Sequence, residues 1–269
     1  MVVSRLERAL IRVAGPDRIS FLDNLLTQRV EGLEGVRYGA LLTPQGKVIA
    51  DTLIWSHGEA VILETDPKFA DALLSKLSMY RLRANITLGA AADLAVAFSV
   101  DPFEGALADP RMPNGELGWR KLIASADAAA LPEGDETLWS RRFGCSVPDL
   151  AVDIQPDEIF AGEALLEELN GVDFQKGCFV GQENVSRMKR RATTRRKLCS
   201  VAFSGARFEY GTPIRAGAAE IGAIRSAQRC KAIALIRLDR ALEAQERGQK
   251  LMAGEIEIHL DPPDWLILP

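Results

Sequence analysis

The densest group of reactive side chains is Lys176-Gly177-Cys178-Phe179-Val180-Gly181-Gln182-Glu183, which places an amine, a thiol, an amide and a carboxylate within eight residues. Lys176 and Cys178 are two apart, so in an extended segment they face one side, and a nearby ammonium would favour the thiolate form of Cys178. A thiolate is a nucleophile or a soft-metal ligand. Gly181 before Gln182 and Glu183 suits a strand-to-helix turn, where backbone N–H groups and the positive end of the helix dipole could receive an anion. Glu183 and Arg187 have the i, i+4 spacing of a helical ion pair. Residue types alone leave a plain alternative open: Cys178 as a small buried residue, the glycines serving packing, and Glu183 favouring a helix N-terminus.

The remaining reactive residues narrow the chemistry. The four cysteines, Cys145, Cys178, Cys199 and Cys230, form no CxxC pair, which is neither a disulfide framework nor a zinc-ligand pattern. Two histidines, His57 and His259, are too few for a histidine-rich metal site, and no metal ligands are assigned. Thirty-three basic and 37 acidic side chains give a net charge of −4, which excludes a chain that coats nucleic acid over its whole surface. Residues 189–197, Lys-Arg-Arg-Ala-Thr-Thr-Arg-Arg-Lys, nevertheless hold six cations. Such a run is commonly a solvated face. Next to the Cys178 motif it could also attract a polyglutamate tail, an acidic partner or RNA phosphates, although it contains no aromatic residues for base stacking.

These side chains must be positioned by a fold. A length of 269 residues with 47% hydrophobic content is enough for a substantial core and roughly two domains. No run free of Asp, Glu, Lys and Arg exceeds nine residues, whereas a membrane span needs about 20 mostly apolar ones. Arg5, Glu7, Arg8 and Arg12 interrupt the first apolar stretch, so no secretory signal is expected and the protein reads as cytoplasmic. The patterns predict a helix over Asp17–Gln28, a meander of Tyr38–Thr43, Val48–Trp55 and Ala60–Thr65, and a helix from Asp66-Pro67 to Arg81. Strands at Asn85–Leu88 and Leu94–Val100 complete an α+β unit. Residues 101–144 are the least informative, with a strand at Gly118–Ile123 and a helix near Asp135–Arg142. Glu163–Leu169 follows a helical period, Val172–Val180 reads as a strand and turn, and a helix runs from Gln182 to Lys189. From Leu198 onward, short glycine-punctuated strands (Leu198–Phe203, Pro213–Ala216, Glu220–Arg225, Ala232–Leu238, Glu255–Leu260) point to a small β-barrel or sandwich.

The octapeptide, with Gly171-Val172-Asp173-Phe174 before it and Val185-Ser186-Arg187-Met188 after it, resembles the hallmark of the YgfZ family. Leu25 to Gln28, Tyr38 to Lys47 with Asp51, Tyr80 to Arg83, Leu117 to Arg120, Phe160 to Glu163, and Ile221-Gly222, Ser226 and Lys231 to Ala234 extend the likeness over nearly the whole chain. That family comprises folate-binding proteins of iron-sulphur cluster assembly related to the glycine cleavage T-protein, an aminomethyltransferase. The resemblance implies a three-domain aminomethyltransferase-like α+β fold with a ferredoxin-like antiparallel portion and a C-terminal β-barrel. The units would be a discontinuous folate-binding body (1–35 with 101–195), a ferredoxin-like domain (36–100) and a barrel (196–269).

By the same resemblance, Cys178, Lys176 and Asp51 carry the chemistry, and Asn24, Asp51, Tyr80, Glu163, Gln182, Glu183 and Arg187 contact tetrahydrofolate or a one-carbon derivative. Two departures stand out. Ala161-Gly162 replaces a proline-containing sequence before Glu163, and Ala50 precedes a lone Asp51 where T-proteins carry paired aspartates. The leading expectation is a tetrahydrofolate-binding accessory protein for assembly or repair of iron-sulphur proteins, with iron-sulphur client or assembly proteins as partners and no membrane. One motif cysteine cannot supply the four thiolates typical of a cluster, so any cluster contact would be shared. The alternatives are a folate-dependent aminomethyl or one-carbon transferase using Asp51, with turnover left open by the incomplete acid pair, and an RNA-associated factor using residues 189–197.

Overall fold

The computed structural model describes residues 1–191, 194–205 and 207–269. Strands β1 (Ser4–Leu6) and β2 (Ala9–Ala14) lead through helix α1 (Arg18–Asp23) to the meander β3 (Val36–Leu42), β4 (Val48–His57) and β5 (Ala60–Thr65). Helix α2 (Pro67–Arg81) follows, then β6 (Thr87–Ala90), β7 (Leu94–Ser99), β8 (Leu107–Ala108) and β9 (Trp119–Ala124). Helices α3 (Ser125–Ala128), α4 (Asp135–Gly144), α5 (Leu150–Asp153) and α6 (Gln182–Arg191) precede the C-terminal elements. Those are β10 (Arg196–Phe203), β11 (Pro213–Ala216), β12 (Ala219–Gln228), β13 (Lys231–Arg237), α7 (Leu238–Glu246), β14 (Leu251–Ala253) and β15 (Ile256–Leu260).

Local sequence explains the elements around the site. The Asp66 carboxylate accepts the Lys68 N–H and Pro67 occupies the first helical turn, so α2 starts where the sequence predicts and buries Phe69, Leu73 and Leu77 on one face. The main sheet is antiparallel in the order β3-β4-β5-β2-β6. Taken as β2-α1-β4-β5-α2-β6, it has the ferredoxin-like β-α-β-β-α-β arrangement with β3 added at the edge. Six pairs from Ala9↔Thr65 to Ala14↔Ala60 join β2 to β5, so the hydrogen bonding crosses the expected 35/36 boundary. A second sheet runs β1-β7-β9-β8, and β10-β13-β12-β11-β14-β15 close into a six-stranded barrel. Closure leaves no unpaired barrel edge.

Three expected elements differ. The helix predicted over Asp17–Gln28 ends at Asp23. The Asp23 carboxylate accepts the N–H groups of Val30 (2.7 Å) and Glu31 (3.1 Å), which turns the chain back. Glu163–Leu169 is a run of turns rather than a helix, because Leu165 sits at φ +61° and breaks the ladder. Val172–Val180 contains no strand: Asp173 accepts the N–H groups of Gln175 and Lys176, a side-chain turn that competes with extended pairing. Strands β1, β2, β8 and β14 and helices α3, α5 and α7 lie where no element is expected.

Candidate functional site

Lys176 and Cys178 line one cavity of about 450 Å³ together with Asp23, Asn24 and Arg29. The loop after α1 supplies one wall and the Lys176–Cys178 loop the other. The Lys176 ammonium is buried and donates to the carbonyls of Leu26 (2.8 Å) and Gln28 (3.0 Å), with Asp23 at 3.4 Å. Burial depresses the Lys176 pKa below its ordinary value, against the pull of Asp23 and Asp173. All its donor capacity is therefore directed at the α1–β3 loop, and the contacts make it a pin between two walls rather than a partner of the thiol. Asp173 secures the same seam by accepting Arg29 Nε at 2.8 Å. Cys178 is exposed at the cavity. Asp23 and Arg29, which the sequence reading missed, are ordinary surface-type residues, and only the fold back-turn brings them here.

Gly181 is placed by a close approach. It sits at φ +84°, and a Cβ there would lie 2.6 Å from the Thr43 carbonyl and 3.0 Å from Gly46 Cα. The β3–β4 turn thus packs directly against the start of α6, and Asn184 Nδ2 seals the contact by donating to the Gln45 carbonyl at 2.7 Å. Gln182 opens α6, and Glu183 and Arg187 are exposed on it. The expected Glu183–Arg187 ion pair is not formed among the described residues; Arg187 donates to Asn184 Oδ1 instead.

A second centre lies around Asp51. The half-buried Asp51 on β4 accepts the Tyr38 hydroxyl on Oδ2 at 3.0 Å. Burial raises the Asp51 pKa, with Asp149 adding to it and Arg111, Arg8 and the Tyr38 hydrogen bond opposing. Tyr38 is itself raised well above its ordinary value by burial and by the charge of Asp51. Arg111 lies over the Tyr38 ring, 5.6 Å from its centroid, and is clamped by Asp109 through Nε (2.9 Å) and a terminal nitrogen (2.8 Å). Asp109 also accepts Arg120 Nε at 2.9 Å, and Arg120 reaches Glu64, which accepts Trp55 Nε1 at 3.0 Å. Burial alone would raise Asp109, but Arg111 and Arg120 outweigh it and hold the carboxyl well below the usual carboxylate range. Ala50 is fully buried, and successive strand residues face opposite ways, so an acid at that position would not join Asp51.

The other expected residues do not converge on either centre. Glu163 accepts the Phe160 N–H and Arg196 Nε at 2.8 Å, fastening the turn segment to the first barrel strand. Tyr80 lies 12 residues beyond Lys68 on α2, about 18 Å along the helix axis by helical rise. Lys68 donates to the Ala151 carbonyl near the opposite end, so Tyr80 stands away from the Asp51 end of the helix. In the basic segment, Lys189 pairs with Glu167 (2.6 Å), Arg196 with Glu163 (2.8 Å) and Lys197 with Glu168 (2.6 Å). Three of its cations are thus spent inside the chain, and Ala192 and Thr193 lie outside the described residues. Among the described residues no group of three or more His, Cys, Asp and Glu side chains could hold a metal ion.

Comparison with known proteins adds to this geometry. Residues 195–267 match the family described as the CAF17 C-terminal beta-barrel domain. The chain is 28% identical over 303 residues to the Homo sapiens "Iron-sulfur cluster assembly factor IBA57, mitochondrial", covering 96% of this chain and 83% of that protein. The Mus musculus protein of the same name is 29% identical over 236 residues, and a Neurospora crassa homolog of it 28% over 235. This chain spans 65% and 53% of their lengths and 74% of itself in both matches. In structure it is similar to aminomethyltransferase T of the glycine cleavage system from Bartonella henselae, with a TM-score of 0.76 and 16% identity over 98% of this chain and 86% of that one. The fold is aminomethyltransferase-like, mixed α+β with a closed C-terminal barrel. The expected cytoplasmic location is overturned by these relatives, all three of which are named mitochondrial. Among the described residues no helix is long and apolar enough to cross a membrane.

Proposed function

We propose that this chain is a YgfZ-type accessory protein that binds tetrahydrofolate and supports assembly or repair of iron-sulphur proteins, acting with the assembly machinery where its relatives are named, in mitochondria. Relatives named as iron-sulphur cluster assembly factors and an aminomethyltransferase-like fold support the process. The observation that carries the site is the 450 Å³ cavity with an exposed thiol at its wall. Its volume lies in the range of small-molecule sites. Ile19 and Pro16 offer an apolar floor, while Asn24, Asp23 and Arg29 offer the mixed donors and acceptors that a pterin ring and its acidic tail require. In this reading Asn24 contacts the ligand, Lys176 and Gly181 hold the walls, and Cys178 is the soft ligand offered to a cluster. The cluster is cargo shared with a client protein, since one thiolate is a quarter of an ordinary cluster site. Gln182, Glu183 and Arg187 border the same loop, and Glu163 and Tyr80 act at a distance. The division into a body (1–35 with 101–195), a ferredoxin-like unit (36–100) and a barrel (196–269) is proposed with β2 lent by the first to the second.

Calorimetry of the full chain with tetrahydrofolate tests this reading: binding weakened by Asn24→Ala is expected, and no heat at millimolar ligand would remove the folate part. A second reading, a folate-dependent aminomethyl transferase, is favoured by one observation, the Tyr38–Asp51 hydrogen bond in this fold. Turnover of an aminomethylated carrier protein that is abolished in Asp51→Asn would establish it. The pairing of Lys189, Arg196 and Lys197 with glutamates leaves RNA binding without comparable support.

A further inference from the structure

The β12–β13 hairpin and the loop after β10 line a second cavity, of about 500 Å³, which shares no residue with the one around Cys178. Phe203, Phe208 and Ala227 give it an apolar wall, and Arg207, Gln228 and Arg229 line the rest. Phe203 is buried and meets the half-buried Phe208 edge-on, with ring centroids 4.6 Å apart, so Phe208 is held by its neighbour while part of it stays open. The Phe203 N–H donates to the Cys230 carbonyl at 2.9 Å, which ties the hairpin tip to the end of β10. Gln228 Nε2 donates to Ser140 on α4 at 2.9 Å, which ties the same hairpin to the body. The cavity wall is thus braced from two sides.

Its two arginines differ from their neighbours. Other cations of the barrel are paired, Arg225 with Glu158, Lys231 with Asp261 and Arg237 with Asp239, whereas Arg207 and Arg229 form no ion pair and donate no side-chain hydrogen bond among the described residues. Both guanidiniums keep their donors for a group outside the chain. Arg229 also opens the two-residue loop between Gln228 and Lys231 at φ +56°, a conformation that side chains seldom adopt and that Gly or Asn fills at less cost. An arginine there bears a backbone cost that no polar contact within the described residues offsets.

We propose that this cavity is a binding site for a small aromatic anion, a planar ring bearing a phosphate or a carboxylate. The ring packs against Phe208 on the apolar wall, and the guanidiniums of Arg207 and Arg229, whose planar forks suit either oxyanion, receive the acid group. The volume lies in the range of small-molecule sites. Neither Asn24 nor Cys178 takes part, so the site stands apart from the folate reading.

The test is amide NMR titration of the full chain with phenyl phosphate, phenylacetate, inorganic phosphate and phenol. At least one of the two ring-bearing acids should shift the amides of Arg207, Phe208 and Gln228–Lys231, and the tighter of them identifies the acid group. Inorganic phosphate and phenol each carry half of the recognised chemistry and should bind about fivefold more weakly. Arg229→Gly removes one guanidinium and relieves the backbone, so it should melt no lower than the parent yet lose about three- to fivefold in affinity. Phe208→Leu keeps an apolar wall without the ring and should abolish the preference for phenyl phosphate over inorganic phosphate. The proposal is overturned if neither ring-bearing acid binds at millimolar concentration, or if Arg229→Gly keeps the parent affinity. Equal binding of phenyl phosphate and inorganic phosphate to the parent would mean a bare charge patch and overturns it too. Asn24→Ala separates this site from the folate cavity: unchanged phenyl phosphate binding is expected there whatever becomes of folate, and its loss would place the ring-bearing acid beside Cys178 and overturn the proposal.

Discussion

At the scale of single residues, the four cysteines that look alike in the sequence are sorted by burial. Cys199 is buried in β10, and burial, with Asp261 adding to it, pushes its pKa up to about 12. A raised folded-state value means that its contribution to stability is whole below the unfolded thiol pKa of about 8.5 and is lost as pH rises toward 12. Native-state thiol labelling at neutral pH should therefore modify the exposed Cys178 and Cys230 and spare Cys199. Cys199→Ala should flatten the alkaline fall of the melting temperature; an unchanged alkaline limb would show that another group controls it. Cys178→Ala, at an exposed position, should alter stability by less than about 0.5 kcal/mol while impairing iron-sulphur enzymes in cells. Lys176 behaves oppositely. Removing it leaves the buried Leu26 carbonyl and the partly buried Gln28 carbonyl unpaired, so Lys176→Met should cost about 1–3 kcal/mol in urea unfolding. The types of these residues were legible in the sequence. What was not legible is that the Lys176 ammonium spends its hydrogen bonds on Leu26 and Gln28, about 150 residues away in the chain.

At the scale of elements, legibility followed the strength of local signals. The Asp66-Pro67 start of α2 and the strand β5 were read as they stand, because a cap with a proline and a turn-bounded apolar run each have one local solution. Glu163–Leu169 is not the helix its period suggests, because that period comes from packing on several sides, while Leu165 at φ +61° breaks the segment into turns that no apolar spacing reveals. The glycines of the motif were recognised as turn residues, but their partner was not, since the β3–β4 turn is remote in sequence. That contact makes a sharp expectation. In Gly181→Ala the new methyl meets the Thr43 carbonyl at 2.6 Å in a backbone conformation that disfavours side chains. The variant should lose more than about 1 kcal/mol and raise hydrogen exchange in both the Thr43–Gly46 turn and the first turn of α6. Gly177→Ala, with open space around it, should do neither.

At the scale of the whole molecule, the stretch 101–144 that carried least sequence information supplies Asp109, Arg111 and Arg120 to the Asp51 centre and Arg142 to the join between body and barrel. Long-range charge pairing of this kind leaves no periodicity, which is why it was invisible. Arg142 packs against the rings of both Trp139 (3.8 Å) and Phe143 (4.3 Å), which meet each other edge-on, and donates to Asp153 on α5 and to Ser226 on barrel strand β12, each at 3.0 Å. The Ser226 hydroxyl also donates to Asp153, so the body and the barrel share one buried unit. Burial raises the Asp153 pKa, with Arg142 and Ser226 countering it. The ionised carboxylate is thus tolerated because the guanidinium is there. Arg142→Ala should cost about 3–5 kcal/mol at pH 7, the penalty of stranding a buried charge. A folded-state pKa above the unfolded value means that Asp153 takes up its proton first in the folded chain as pH falls, so the deficit should shrink toward about pH 4. Urea unfolding of Arg142→Ala at both pH values checks this, and an equal deficit at the two would mean that packing against Trp139 and Phe143, rather than charge, joins the barrel to the body.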